Sequence, residues 1–174
     1  MRLPTLMACV LMTSAPLHAE VVEVADGGFA VRHSTTVAAT PEAVWQAMMY
    51  RIEDWWHPDH SWSADASNLY IDARLGGCFC ERLPASGGAV EHLRIVFFEP
   101  ERTVRLNGAL GPLVDLSVDG RMTWRIDPVE DGSTVTFTYR VFGVMEGGFE
   151  GLAPVVDSVI GQQHQRLANL LQDS

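Results

Sequence analysis

An α+β fold, one curved antiparallel sheet of six to seven strands around a long C-terminal helix, is what the sequence predicts. Three observations carry that expectation. Phe29, Val31, His33, Thr35 and Val37 alternate onto one face, the period of a strand. From Asn68 onward six further strand-like runs are joined by short links, which suits antiparallel neighbours because parallel ones need long crossovers. Leu152 to Gln172 then carries Leu152, Val155, Val156, Val159, Ile160, Leu167, Leu170 and Leu171 on one helical stripe, a face that must be buried against the sheet.

Taken in chain order, the N-terminus reads as a leader. Met1-Arg2 is positively charged, Leu3 to Met12 is nearly all apolar, and small residues run up to Ala19 before the acidic stretch from Glu20. This is the pattern of a secretory signal peptide over residues 1–19, cut after Ala19, which implies a periplasmic or secreted protein. The apolar run is too short to span a membrane stably, which takes about 20 residues. Residues 20–27 form a short lead-in, and residues 28–174 form one domain. After the first strand, Thr40-Pro41-Glu42 supplies an N-cap threonine and a proline at the first helical position, followed by Ala43, Val44, Ala47 and Met48 on one helical face. Arg51 to Ser63 breaks period and is crowded with tryptophan, as a short helix or an ordered loop would be. The strands expected next are Asn68–Ala73, Gly77–Leu83, Ala89–Phe98, Thr103–Gly108, Leu116–Ile126 and Ser133–Phe142, punctuated by Gly76-Gly77, Gly87-Gly88, Glu99-Pro100 and Asp131-Gly132. Pro154 is tolerated only near a helix start, so the last helix begins just before it.

Composition excludes several functions. A net charge of −10 disfavours a nucleic-acid partner, which needs a basic face. All 12 basic residues are arginine, so Schiff-base and phosphate-loop lysine chemistry are absent. Beyond the leader, Cys78 and Cys80 read as two small buried apolar side chains, since an i, i+2 pair in a regular strand meets disulfide geometry poorly. His57 and His60 beside Asp54 and Asp59 invite a metal, but the spacing is short and Pro58 interrupts it, so no metal and no cofactor are expected.

The order of Val37-Ala38-Ala39-Thr40-Pro41-Glu42-Ala43-Val44-Trp45, Gly76-Gly77-Cys78-Phe79-Cys80-Glu81, Pro100-Glu101-Arg102-Thr103-Val104-Arg105-Leu106, Gly132-Ser133-Thr134-Val135-Thr136 and Val156-Asp157-Ser158-Val159-Ile160 resembles the SRPBCC or START-like superfamily. It is most similar to the branch of polyketide cyclases and heat-shock-protein ATPase activator homologues. The resemblance spans Gly28 to Gln172 and implies a helix-grip fold enclosing an apolar cavity. Its members include ligand carriers, cyclases, oxygenase subunits and chaperone cofactors, so the fold alone does not fix function.

The residues expected at such a cavity are Trp56, Trp124, Tyr139, Gln163 and His92. Trp56 belongs to a cluster suited to a cavity mouth, while Trp124 and Tyr139 carry hydrogen-bonding tips on apolar strand faces. Gln163 falls in the apolar stripe of the last helix and must bond a strand, a buried water or a ligand. Glu81, His92 and Arg94 sit within strands and could face either way, the solvated outer face being favoured over the cavity because charged side chains are seldom buried. His92 or Tyr139 would be the acid or base if the cavity were catalytic. The leading expectation is an exported binder of a small apolar or amphipathic ligand. A cyclase- or aromatase-like enzyme using the same cavity is the alternative, and a protein-interaction module like the ATPase activators is a third, against which export counts.

Overall fold

The computed structural model describes residues 18–172, so the expected leader, apart from His18 and Ala19, lies outside the described residues. Strand β1, His18–Ala25, pairs antiparallel with β2, Gly28–Val37. The stretch expected as a lead-in is thus an edge strand. Its alternation is broken by a register shift between Val21 and Glu23, which hides the strand period in the sequence. The N-cap expected at Thr40 is present: its hydroxyl accepts from the Ala43 N–H, and α1, Pro41–Tyr50, begins with the proline. A one-turn helix α2, Ile52–Trp55, and a 3₁₀ turn, Pro58–His60, follow.

Six more strands complete the sheet: β3 (Leu69–Ile71), β4 (Cys78–Leu83), β5 (Gly88–Glu99), β6 (Thr103–Asn107), β7 (Val118–Val129) and β8 (Gly132–Gly143). The order across the eight-stranded sheet is β1-β2-β8-β7-β6-β5-β4-β3, every pairing antiparallel. The long helix α3, Ala153–Gln172, starts at the residue before Pro154. It packs on β1, β2 and β8, with α1 and α2 against its side, which makes the architecture a helix-grip fold. Between helix and sheet the core is aromatic. Trp124 stacks on Phe137 at 5.2 Å between ring centroids, Trp55 meets Trp124 edge-on at 5.7 Å, and His164 meets Phe137 edge-on at 5.2 Å.

Gly161 lets the helix approach β2: a Cβ there would lie 2.6 Å from the His33 ring. Gly161→Ala should therefore lose about 1–3 kcal/mol by overpacking, more than the roughly 1 kcal/mol that alanine gains in helix propensity. Urea denaturation reads the difference, and an unchanged or higher stability would show that the His33 ring yields freely.

Candidate functional site

A cavity of about 290 Å³ opens between the N-terminal half of α3, the 57–62 segment, the 3₁₀ turn Gly111–Asp115 and the inner face of the sheet. Its walls are mainly apolar: Leu110, Pro112 and Leu113 on one side, Val156, Val159 and Ile160 of α3 on another, and Trp56 on a third. Trp62 and Val155 line it and are 48% and 58% exposed, so the rim is apolar as well.

The polar groups are few, and most are already engaged. The Tyr139 hydroxyl donates to the Gly108 carbonyl and accepts from the Leu110 N–H, both at 2.9 Å. This pins the start of the loop that walls the cavity, and Gly120 leaves room for it, since a Cβ there would meet the tyrosine at 2.5 Å. Burial pushes the tyrosine pKa well up, so the side chain is a neutral structural clamp rather than a free acid. Trp56 Nε1 donates to the His60 carbonyl at 2.9 Å, which leaves only its ring to the cavity.

His92 differs. It lines the cavity, is 4% exposed, and its Nε2 lies 2.9 Å from Glu81 Oε2. Of the two placements left open for Glu81 and His92, the favoured solvated one is corrected: both are buried, Glu81 fully. Its carboxylate accepts the Trp62 N–H at 3.0 Å and the Ser63 N–H at 2.6 Å in addition to His92. Those bonds compensate the burial of the charge, which a rule based on residue type cannot anticipate. Burial by itself would raise the Glu81 pKa, but the hydrogen bonds from Ser63, Trp62 and His92 outweigh it and hold the group below the usual carboxylate range. Burial also depresses the His92 pKa, against the pull of Glu81, so the ring is neutral. A carboxylate can only accept, so His92 Nε2 carries the proton and Nδ1 keeps a lone pair. That buried Nδ1 has no partner among the described residues. Arg94 does face outward, paired with Glu91.

A one-residue bulge creates this arrangement. Phe79 pairs with Leu93 and Cys80 with Glu91, so His92 is the extra residue and turns inward beside Leu93. The cysteine expectation is corrected at the same place, because Cys78 and Cys80 form a disulfide. Their Cα atoms are 5.4 Å apart, inside the usual disulfide range, whereas i, i+2 positions of a flat strand lie about 6.7 Å apart. β4 is locally contracted at this pair, beside the register shift in its pairing with β5.

Two other expected site residues lie outside the cavity lining. Trp124 is fully buried in the aromatic stack, where its Nε1 has no partner among the described residues. Gln163 is also fully buried, but its amide bonds the scaffold: Oε1 accepts the His57 N–H at 2.7 Å, and Nε2 donates to His60 Nδ1 at 2.7 Å and to the Val159 carbonyl at 3.2 Å. His60, which sequence reasoning weighed only as a metal ligand, lines the cavity. Burial and the neighbouring His57 lower its pKa against the opposing pull of Asp59. Among the described residues, no three His, Cys, Asp or Glu side chains converge as a metal site. No helix of the described residues is long and apolar enough to cross a membrane.

Residues 28–172 match the family model described as polyketide cyclase / dehydrase and lipid transport. No curated protein matches the chain. Solved structures share the fold. Protein MLL2253 from Mesorhizobium loti aligns with a TM-score of 0.61 at 17% identity, covering 83% of this chain and 98% of its own. An uncharacterised protein from Rhizobium leguminosarum aligns with a TM-score of 0.61 at 15% identity, covering 92% and 100% respectively. CalU16 from Micromonospora echinospora gives 0.57 at 15% identity, covering 93% of this chain and 85% of its own.

Proposed function

Because the chain belongs to the polyketide cyclase / dehydrase and lipid transport family, we propose that it is an exported protein that holds one small apolar or amphipathic molecule in this cavity. The observation that carries the reading is the pairing of an apolar cavity of about 290 Å³ with an acceptor in its lining, His92 Nδ1, that is buried and unpartnered among the described residues. Ligand sites combine mostly apolar walls with a few placed polar groups. Leaving a buried acceptor unpaired is costly unless something supplies the missing donor. Export is supported by the leader pattern of residues 1–19 and by the Cys78–Cys80 disulfide, since such bonds persist in oxidising compartments.

The Glu81–His92 pair also favours a second reading. A carboxylate that orients a neutral imidazole leaves Nδ1 able to take a proton, as a cyclase- or aromatase-like reaction would require. Tyr139 is not available for that chemistry, because both of its bonds go to backbone groups.

The test is a tryptophan-fluorescence titration of protein recovered from the envelope fraction, with fatty acids, isoprenoids and aromatic polyketides as probes. Trp56 in the cavity wall is the reporter. The recovered chain should lack about the first 19 residues by intact mass, and at least one probe class should give a saturable change. A full-length cytoplasmic form would remove the export reading. Flat titrations with every probe would remove the ligand reading.

A further inference from the structure

Backbone N–H groups of one loop fix the proton positions on both histidines of the cavity. The His57 N–H can only donate, so the Gln163 atom that meets it is the carbonyl oxygen, and the amide NH₂ faces His60. An NH₂ group can only donate, so His60 Nδ1 must accept, and a neutral His60 carries its proton on Nε2. No described residue takes that proton. Five or six residues further on, the Trp62 and Ser63 N–H groups hold Glu81 as an acceptor, which assigns the His92 proton to Nε2 and spends it on the carboxylate. Among the described residues one histidine is therefore left with an unpartnered acceptor and the other with an unpartnered donor, and both side chains line the same apolar cavity.

We infer that the ligand is a neutral apolar molecule bearing both a hydroxyl and a carbonyl, the hydroxyl donating to His92 Nδ1 and the carbonyl accepting from His60 Nε2–H. This rests on the ligand-binding reading above and adds its polar specificity. His60 and His92 are the discriminating residues. Gln163 and Glu81 are positioning residues that act through them. A carboxylate ligand is disfavoured, because it offers no donor to His92, and the cavity lining includes no arginine.

The experiment uses four matched probes, naphthalene, 2-naphthol, 2-acetylnaphthalene and 6-acetyl-2-naphthol, with affinities measured by calorimetry. Each polar group should add roughly threefold to tenfold in affinity, the range of one net hydrogen bond. His60→Phe should remove the gain from the acetyl group and keep the gain from the hydroxyl; His92→Phe should do the reverse. Imidazole nitrogen-15 spectra of the wild-type protein at neutral pH should show both rings neutral and protonated on Nε2. They carry the test of His92 if that variant fails to fold. Equal affinity for all four probes, or either ring protonated on Nδ1, would overturn this inference and leave the apolar-ligand reading standing. No binding by any of the four would overturn this inference, and the ligand reading would then stand or fall with the fatty-acid, isoprenoid and polyketide titrations.

Discussion

Replacing Glu81 with alanine should destabilise the protein by about 3 kcal/mol, the scale for removing one member of a buried, hydrogen-bonded charged pair. The side chain has no exposure and joins three donors: the Trp62 and Ser63 N–H groups and His92 Nε2. Its loss strands a buried imidazole N–H and releases the loop that carries His57, His60 and Trp62. Glu81→Gln should cost roughly half as much, since the amide oxygen still serves one donor while its NH₂ group opposes another. Urea midpoints give the energies, and amide exchange at Trp62 and Ser63 should accelerate in the alanine variant. A change below about 1 kcal/mol with unaltered exchange would mean that water replaces the carboxylate without loss.

Acid should weaken the fold well before most carboxylates titrate. His164 is 1% exposed, its Nε2 donates to the Val135 carbonyl, and burial lowers its pKa from 6.5 to about 4. His33 faces it at 6.0 Å between ring centroids, and Asp157 Oδ1 lies 2.9 Å from His33 Nε2. Between pH 6.5 and 4 the unfolded chain binds the His164 proton and the folded chain does not, so stability falls as pH falls through that window. A shift of that size corresponds to about 3 kcal/mol. His92 and His60, also depressed by burial, contribute with the same sign over the lower part of the imidazole range. Glu81 adds a second loss below its ordinary value of 4.5, because its folded pKa is lowered and its stabilisation disappears as it protonates. Denaturation at a series of pH values should show this slope, and His164→Leu should flatten it between pH 6.5 and 4. An equally steep slope in the variant would assign the acid sensitivity elsewhere.

What could be read from the sequence follows from how regular each segment is. The alternation of Phe29 to Val37, the Thr40-Pro41 cap and the stripe on α3 obey one period each, and all three stand in the structure. Gln163 was legible as a buried amide from its helical position, though its partners, His57 and His60, are 106 and 103 residues away along the chain. The misread features sit at irregularities. A bulge turns His92 inward beside Leu93, and a strict period of two cannot place both on one face. Glu81 shares strand parity with Phe79, and that apolar neighbour was the available signal that it faces the core. The disulfide sits on β4 beside the same bulge, and β1 carries a register shift of its own. Trp124 follows its strand period faithfully, but its position along β7 places it in the ring stack with Trp55 and Phe137 rather than in the cavity lining.

The most direct measurement is binding of 6-acetyl-2-naphthol to Val159→Trp beside the wild-type protein. Val159 lines the cavity from α3 and is partly exposed, so an indole there fills the space from the helix side. An intact fold in the variant, read by thermal denaturation, with affinity reduced at least about tenfold, as expected when a binding pocket is occluded, is the predicted result. Undiminished affinity in a folded Val159→Trp protein would contradict the assignment of this cavity as the ligand site.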